Sequence, residues 1–215
     1  MRNLLMSAAF LLGVATSVSV QAAPAAQAFW PVKDVFMAGW KVFGGTNGIF
    51  EGFNYSLYNT DQKLYSRYED RVGANLGWNS NLNNAMKIKR LVSSSEPIKC
   101  EEPFALFVGK EWFIHGSQTF GINLTSRSSL TNPDWYQWRF TKCGAPGTVV
   151  QLNTSVALVN SKTNTAVVGC KRIWGVNLCW AEDVITFRGK NYRLQDIKSL
   201  VSKGLVSAEI LKLLP

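Results

Sequence analysis

The chain has 215 residues, 47% of them hydrophobic and 12% aromatic, with 23 Lys and Arg against 14 Asp and Glu. That balance excludes a disordered chain and supplies enough apolar surface for one domain with a core. A single histidine and the lack of any Cys-x-x-Cys pair argue against a Cys/His zinc centre, and no metal or cofactor is expected.

Residues 1–22 have the pattern of an export signal. Arg2 supplies the positive start, an apolar stretch runs from Leu4 to Val20, and Val20-Gln21-Ala22 is a small-x-small cleavage site, with Ala26-Gln27-Ala28 as a later alternative. Localisation outside the cytoplasm, extracellular or periplasmic, is therefore expected, and no other segment is apolar enough to span a bilayer. Cleavage removes only Arg2 among the charged side chains and leaves 22 basic and 14 acidic ones, net +8. Such a charge favours acidic partners. The densest basic group, Lys87/Lys89/Arg90, alternates as the outer face of a strand does, so nucleic acid is not the favoured partner.

Residues 29–49 read as an N-terminal arm. Phe29-Trp30-Pro31 opens it, Trp40 and Phe43 follow, and Gly44-Gly45-Thr46-Asn47-Gly48 closes it as a loop without the lysine of a phosphate-binding loop.

Residues 50–190 repeat themselves. Gly73-Ala74-Asn75-Leu76, Gly121-Ile122-Asn123-Leu124 and Gly175-Val176-Asn177-Leu178 are three copies of one motif, and 64–78, 112–126 and 166–180 align around them without gaps. An apolar strand precedes each copy: Tyr55–Tyr58, Phe104–Phe107 and Val156–Val159. An alternating strand follows each: Met86–Lys89, Tyr136–Arg139 and Ile185–Arg188. Residues 191–215 read as a short helical tail. Leu194, Ile197, Leu200 and Val201 form one stripe, Gly204 breaks it, and Ser207 caps a second helix. The tail either packs on the chain's own core, the preferred reading, or docks a partner through 194–215.

Catalysis finds little support. His115 lies alone in a strand, no Gly-x-Ser-x-Gly elbow occurs, and the adjacent pairs Glu69-Asp70 and Glu101-Glu102 point to opposite faces of a strand. The expectation is a protein that is not an enzyme.

Twelve short strands in three four-stranded units resemble the β-trefoil superfamily. The resemblance covers roughly residues 50–190 and implies an all-β fold: a barrel closed at one end by three hairpins, flanked here by the arm and the tail. In plan the chain is similar to ricin-type lectin trefoils, without their Gln-x-Trp signature, since Gln137 and Trp138 are adjacent. Within that fold Cys100 pairs with Cys143, across neighbouring strands, and Cys170 with Cys179, across the third hairpin.

Strand alternation then sorts the hairpin residues. Ala74, Ile122 and Val176 with the three motif leucines face the core, together with Trp78 and Trp180. Asn75, Asn123 and Asn177 face outward, opposite Asp70, Gln118 and Arg172, with Tyr68 on the same face. Two readings of the asparagines stay open: amides bonding turn backbone, or amides holding the hydroxyls of a ligand. In the second reading the ligand-binding set is Tyr68, Asp70, Asn75, Gln118, Asn123, Arg172 and Asn177, and Arg71, Lys171 and Arg172 are anionic-ligand candidates. The function expected is an exported binding protein for a glycan or glycoconjugate on a cell surface, such as the cell-binding part of a toxin or virulence factor. The alternative is an exported inhibitor or protein-interaction module acting through its loops and tail.

Overall fold

A computed structural model describes residues 34–69, 76–108, 112–117, 121–126, 133–173 and 175–214. The export signal expected at 1–22 lies outside the described residues. No described helix is long and apolar enough to cross a membrane.

The fold is predominantly β, and its sheets are antiparallel. In chain order the strands are β1 Trp40–Phe43, β2 Asn54–Asn59, β3 Leu64–Tyr68, β4 Leu76–Asn79, β5 Met86–Arg90, β6 Phe104–Val108, β7 Trp112–Ser117, β8 Gly121–Ser126, β9 Gln137–Thr141, β10 Ala157–Asn160, β11 Thr165–Gly169 and β12 Leu178–Trp180. A helical turn, α1 Pro133–Tyr136, precedes β9. Beyond β12 come β13 Val184–Phe187, β14 Lys190–Arg193 and the short helix α2 Ile197–Ser202.

Six strands run side by side in the order β1-β2-β5-β6-β9-β10. The ring closes where Trp40 bridges Val156, each donating its backbone N–H to the other's carbonyl, at 3.1 and 2.9 Å. Pairs β3–β4, β7–β8 and β11–β12 extend from β2, β6 and β10. Period-two alternation sends Trp40, Val42, Leu57, Met86, Ile88, Leu106, Trp138, Phe140 and Leu158 into one shared core. The intervening Lys87 and Lys89 stay in solvent.

The same local arrangement recurs three times around the ring. Trp40, Met86 and Trp138 sit opposite Asn59, Val108 and Asn160. Gly52, Glu101 and Asn153, each three residues before a core residue at or next to the start of the next strand (Tyr55, Phe104 and Val156), all take positive φ, at 84°, 69° and 63°. Their N–H groups donate to the carbonyls of Ile88, Phe140 and Val42. Three residues earlier again, Ile49, Ile98 and Val150 are fully buried, and their backbones are hydrogen-bonded in series.

Two expectations about strands change. Residues 40–43, assigned to the arm, form the strand that closes the ring. Ile185–Arg188, expected as the last strand of the third copy, lies instead in a separate β13–β14 hairpin. Only the pairing to Val156 decides between two candidates with the same alternation.

Both expected disulfides are present, Cys100–Cys143 and Cys170–Cys179. The second is diagonal rather than directly across the hairpin. Cys179 sits opposite Val168, and the Cys170 N–H reaches the Asn177 carbonyl at 2.9 Å. Their Cα atoms are 5.9 Å apart, within bonding reach.

The tail packs on the chain. Tyr192, Ile197, Leu200 and Ile210 form a small core to which Ile173 of the third hairpin contributes. Asn191 ties the two together: its carbonyl accepts from Lys171 N–H at 2.7 Å, and its amide donates to the Gly169 carbonyl at 3.1 Å. Gly204 ends α2 at φ 66°, and the Ser207 hydroxyl accepts from Glu209 N–H at the start of a 3-10 turn, Ala208–Leu213.

Candidate functional site

The hairpin registers differ from those expected of a gap-free repeat. The three motif leucines Leu76, Leu124 and Leu178 sit opposite Tyr68, Ile114 and Gly169. The loops between these pairs differ in length, so alignment across the turn fails. Asn123 therefore opposes His115, not Gln118, and the Asn177 carbonyl pairs with Cys170, not Arg172. Asp70, Arg71, Asn75 and Gln118 lie outside the described residues, and of Asn123 only the backbone is described.

Tyr68 sits opposite buried Leu76 and packs against the core, so its ring belongs to the inner face rather than the outer one. Trp78 and Trp180 are core-packed as expected, stacked at 6.4 Å on Trp40 and Trp138 respectively. Asn177 is a turn residue. It adopts φ 55°, its Oδ1 accepts from Arg172 N–H at 3.3 Å, and its carbonyl also accepts from Gln62 Nε2.

Arg172 and Lys171 are engaged internally. Arg172 Nη1 donates to the Leu178 carbonyl at 2.9 Å, and Lys171 Nζ donates to the Leu205 carbonyl at 3.3 Å. Burial lowers the Arg172 pKa below its ordinary value, with nearby Arg193 acting in the same sense and Asp196 and Asp183 opposing. The third hairpin is thus occupied by its own disulfide and by the tail.

The residues that the fold does bring together on an outer surface are others. On the outward face of β1, β2 and β3, Phe43, Tyr58 and Tyr65 form a half-buried ring cluster. Phe43 meets Tyr58 and Tyr65 edge-on at 5.9 and 5.7 Å, and the two tyrosine rings lie 4.9 Å apart. Ser56, opposite Phe43, accepts from the N–H groups of Asn83 and Asn84 at 3.0 and 2.8 Å. The Asn83 amide donates to the Ser66 carbonyl at 2.7 Å, and Asn84 is exposed. Lys41 lies opposite Tyr58, and Arg67, on the same face as Tyr65, is paired with Glu69 at 2.6 Å.

The equivalent surfaces of the other two copies are covered. Asn83, Trp135 and Met37 each lie three residues before the inward Met86, Trp138 or Trp40. Trp135 and Tyr136 pack on Phe107 and Ala105 in one copy, and Phe36 and Met37 pack on Ala157 and Val159 in the other. In the first copy the covering position is the small polar Asn83, and Ser56 stands where the others have Ala105 and Ala157. The aromatic rings there keep partial access to solvent, with amides at their border.

Sequence reasoning missed this cluster because its members are scattered over residues 41–84. The one available signal was the pair of tyrosines at alternating positions in two strands. Among the described residues no group of three His, Cys, Asp or Glu side chains could hold a metal ion. A depression of about 470 Å³ beside Cys100 is lined in part by Arg90, Glu101 and Glu102. Its arginine is already used, by the carbonyls of Ser94 and Pro97 and by the Glu102 carboxylate. No family model, no curated protein and no solved structure matches the chain.

Proposed function

We propose that this is an exported β-trefoil that binds carbohydrate, with the sugar seated on the outer face of the first copy, and that it is not an enzyme. The closed ring of six strands, the three pendant hairpins and the threefold recurrence of Gly52, Glu101 and Asn153 support the trefoil reading. In it, β1 takes the place that the last strand of the third unit would hold. The fold by itself leaves the ligand open.

The observation that carries the carbohydrate reading is the Phe43/Tyr58/Tyr65 cluster bordered by Asn83 and Asn84. Aromatic rings offer an apolar surface to the C–H face of a sugar, and phenol and amide groups both donate to and accept from its hydroxyls. Two disulfides suit an oxidising compartment.

A glycan array probed with the mature chain and with Tyr58→Ala tests the reading. The expected result is binding to a defined set of glycans that the variant loses while its thermal melt stays cooperative. Binding retained by the variant, or no glycan bound by the parent, would overturn it.

A further inference from the structure

The C-terminal segment carries a surface feature that the carbohydrate reading does not use. Residues 184–214 contain six Lys and Arg but only two acidic side chains, Asp196 and Glu209. Both acids are paired: Glu209 with Arg188, and Asp196 with Arg193 and the Ile173 N–H. The remaining four cations, Lys190, Lys198, Lys203 and Lys212, are exposed and have no carboxylate partner among the described residues.

Three large aliphatic side chains stand in the same stretch. Leu205, Leu211 and Leu213 are 51%, 39% and 44% exposed. Their neighbours Leu200 and Ile210 are fully buried, so the segment already has its core and these leucines are additional to it. Lys203 lies two residues before Leu205, and Lys212 lies between Leu211 and Leu213. Elsewhere, Phe53, Leu82, Leu91 and Val92 are also exposed; Glu51 lies two residues from Phe53 and Glu96 four from Val92 in the chain, whereas no unpaired acid falls within 184–214.

We infer that this C-terminal module docks on an anionic lipid surface, with Leu205, Leu211 and Leu213 entering the interface and the lysines meeting the headgroups. Lysine interspersed with aliphatic residues over one short stretch of chain is the chemistry of interfacial binding. A folded protein partner would favour a contiguous apolar patch. Separate leucines divided by lysines suit a fluid surface that adapts to each of them. None of these leucines and lysines belongs to the first-copy aromatic face on β1–β3.

The test is co-sedimentation of the full mature chain with vesicles of phosphatidylcholine alone and of phosphatidylcholine with one-third phosphatidylglycerol. Binding is expected to the anionic vesicles only, and to weaken as salt is raised. Lys203→Glu with Lys212→Glu should lower vesicle affinity at least tenfold. Leu205→Ser with Leu213→Ser should lower it severalfold at unchanged charge. Both double variants should keep the far-UV spectrum and the glycan profile of the parent. Equal binding to neutral vesicles, no binding to either kind, or anionic binding indifferent to both double variants would overturn the inference.

Discussion

The Asp61 carboxylate accepts a hydrogen bond from the Gly169 N–H at 3.0 Å, joining the turn after β2 to the end of β11. Gln62 extends the junction, its amide donating to the carbonyls of Cys170 and Asn177 at 3.3 Å each. Asn59, fully buried, shapes the turn by accepting from the N–H groups of Asp61 and Gln62. The first and third copies are thus locked together by polar groups at the rim of the ring, beside the shared apolar core.

That close approach makes Gly169 intolerant of a side chain. A Cβ there would lie 2.4 Å from Asn59 Oδ1 and 2.6 Å from Asp61 Cβ, so the turn would have to move. Gly169→Ala is expected to destabilise the fold by about 1–3 kcal/mol, read as a lowered midpoint in urea with an unchanged slope. A midpoint equal to the parent's would show that the junction is loose.

Asp61 also gives the stability a pH signature. Burial raises its pKa above the ordinary carboxyl value, while the bonds from Gly169 and Asn191 offset part of the rise. A carboxyl raised on folding contributes stability below its unfolded pKa, about 3.9, and loses it as pH rises through the folded value. Asp61→Asn, whose oxygen still accepts from Gly169, should match or exceed the parent in stability at neutral pH. The gap should narrow as pH falls toward 4. Unfolding curves at pH 4 and pH 7 decide it, and a variant weaker than the parent at pH 7 contradicts the assignment.

The two disulfides should differ in worth. Cys100–Cys143 closes a separation of 43 residues and Cys170–Cys179 one of 9. Loop-closure entropy assigns them about 4 and about 2.6 kcal/mol. Paired Cys→Ser replacement of the first should therefore lower the melting temperature more than replacement of the second. The reverse order would mean that the second bridge, by holding the third hairpin against the tail, stabilises more than its loop does.

Arg90 is a buried tie. Its side chain is 3% exposed and paired with Glu102 at 2.7 Å, and it holds the loop after β5 through Ser94 and Pro97. Arg90→Ala leaves those acceptors without their donor and should cost about 3 kcal/mol. Exposed Lys89→Ala next to it should cost less than about 0.5 kcal/mol. Chemical denaturation of the two variants side by side measures the contrast.

On the proposed sugar face, Tyr65→Leu keeps an apolar side chain but removes the ring and its hydroxyl. Glycan affinity should fall about tenfold, equivalent to ~1.4 kcal/mol, with little change in melting temperature. Titration calorimetry with the best array ligand checks it. An unaltered affinity would move the sugar away from β3.

The primary structure by itself determined the period-two alternation, and with it most of the core: the inward Leu57, Leu106 and Leu158 and the outward Lys87 and Lys89 follow from neighbours alone. It also carried the three motif copies, because these depend on residue type and spacing; the disulfide partners followed only from the trefoil resemblance, which chose one of three possible pairings. Tertiary structure decided which strand closes the ring. Trp40–Phe43 and Ile185–Arg188 alternate alike, and only the long-range pairing of Trp40 with Val156 selects the first. It also set the hairpin registers, because three loops of unequal length shift the strands past one another. That shift put His115, not Gln118, opposite Asn123 and sent Tyr68 inward. The candidate site belongs wholly to this second group. Phe43, Tyr58 and Tyr65 become one surface only when β1 and β3 pair on either side of β2, and they stay open to solvent because Asn83 is too small and polar to cover them.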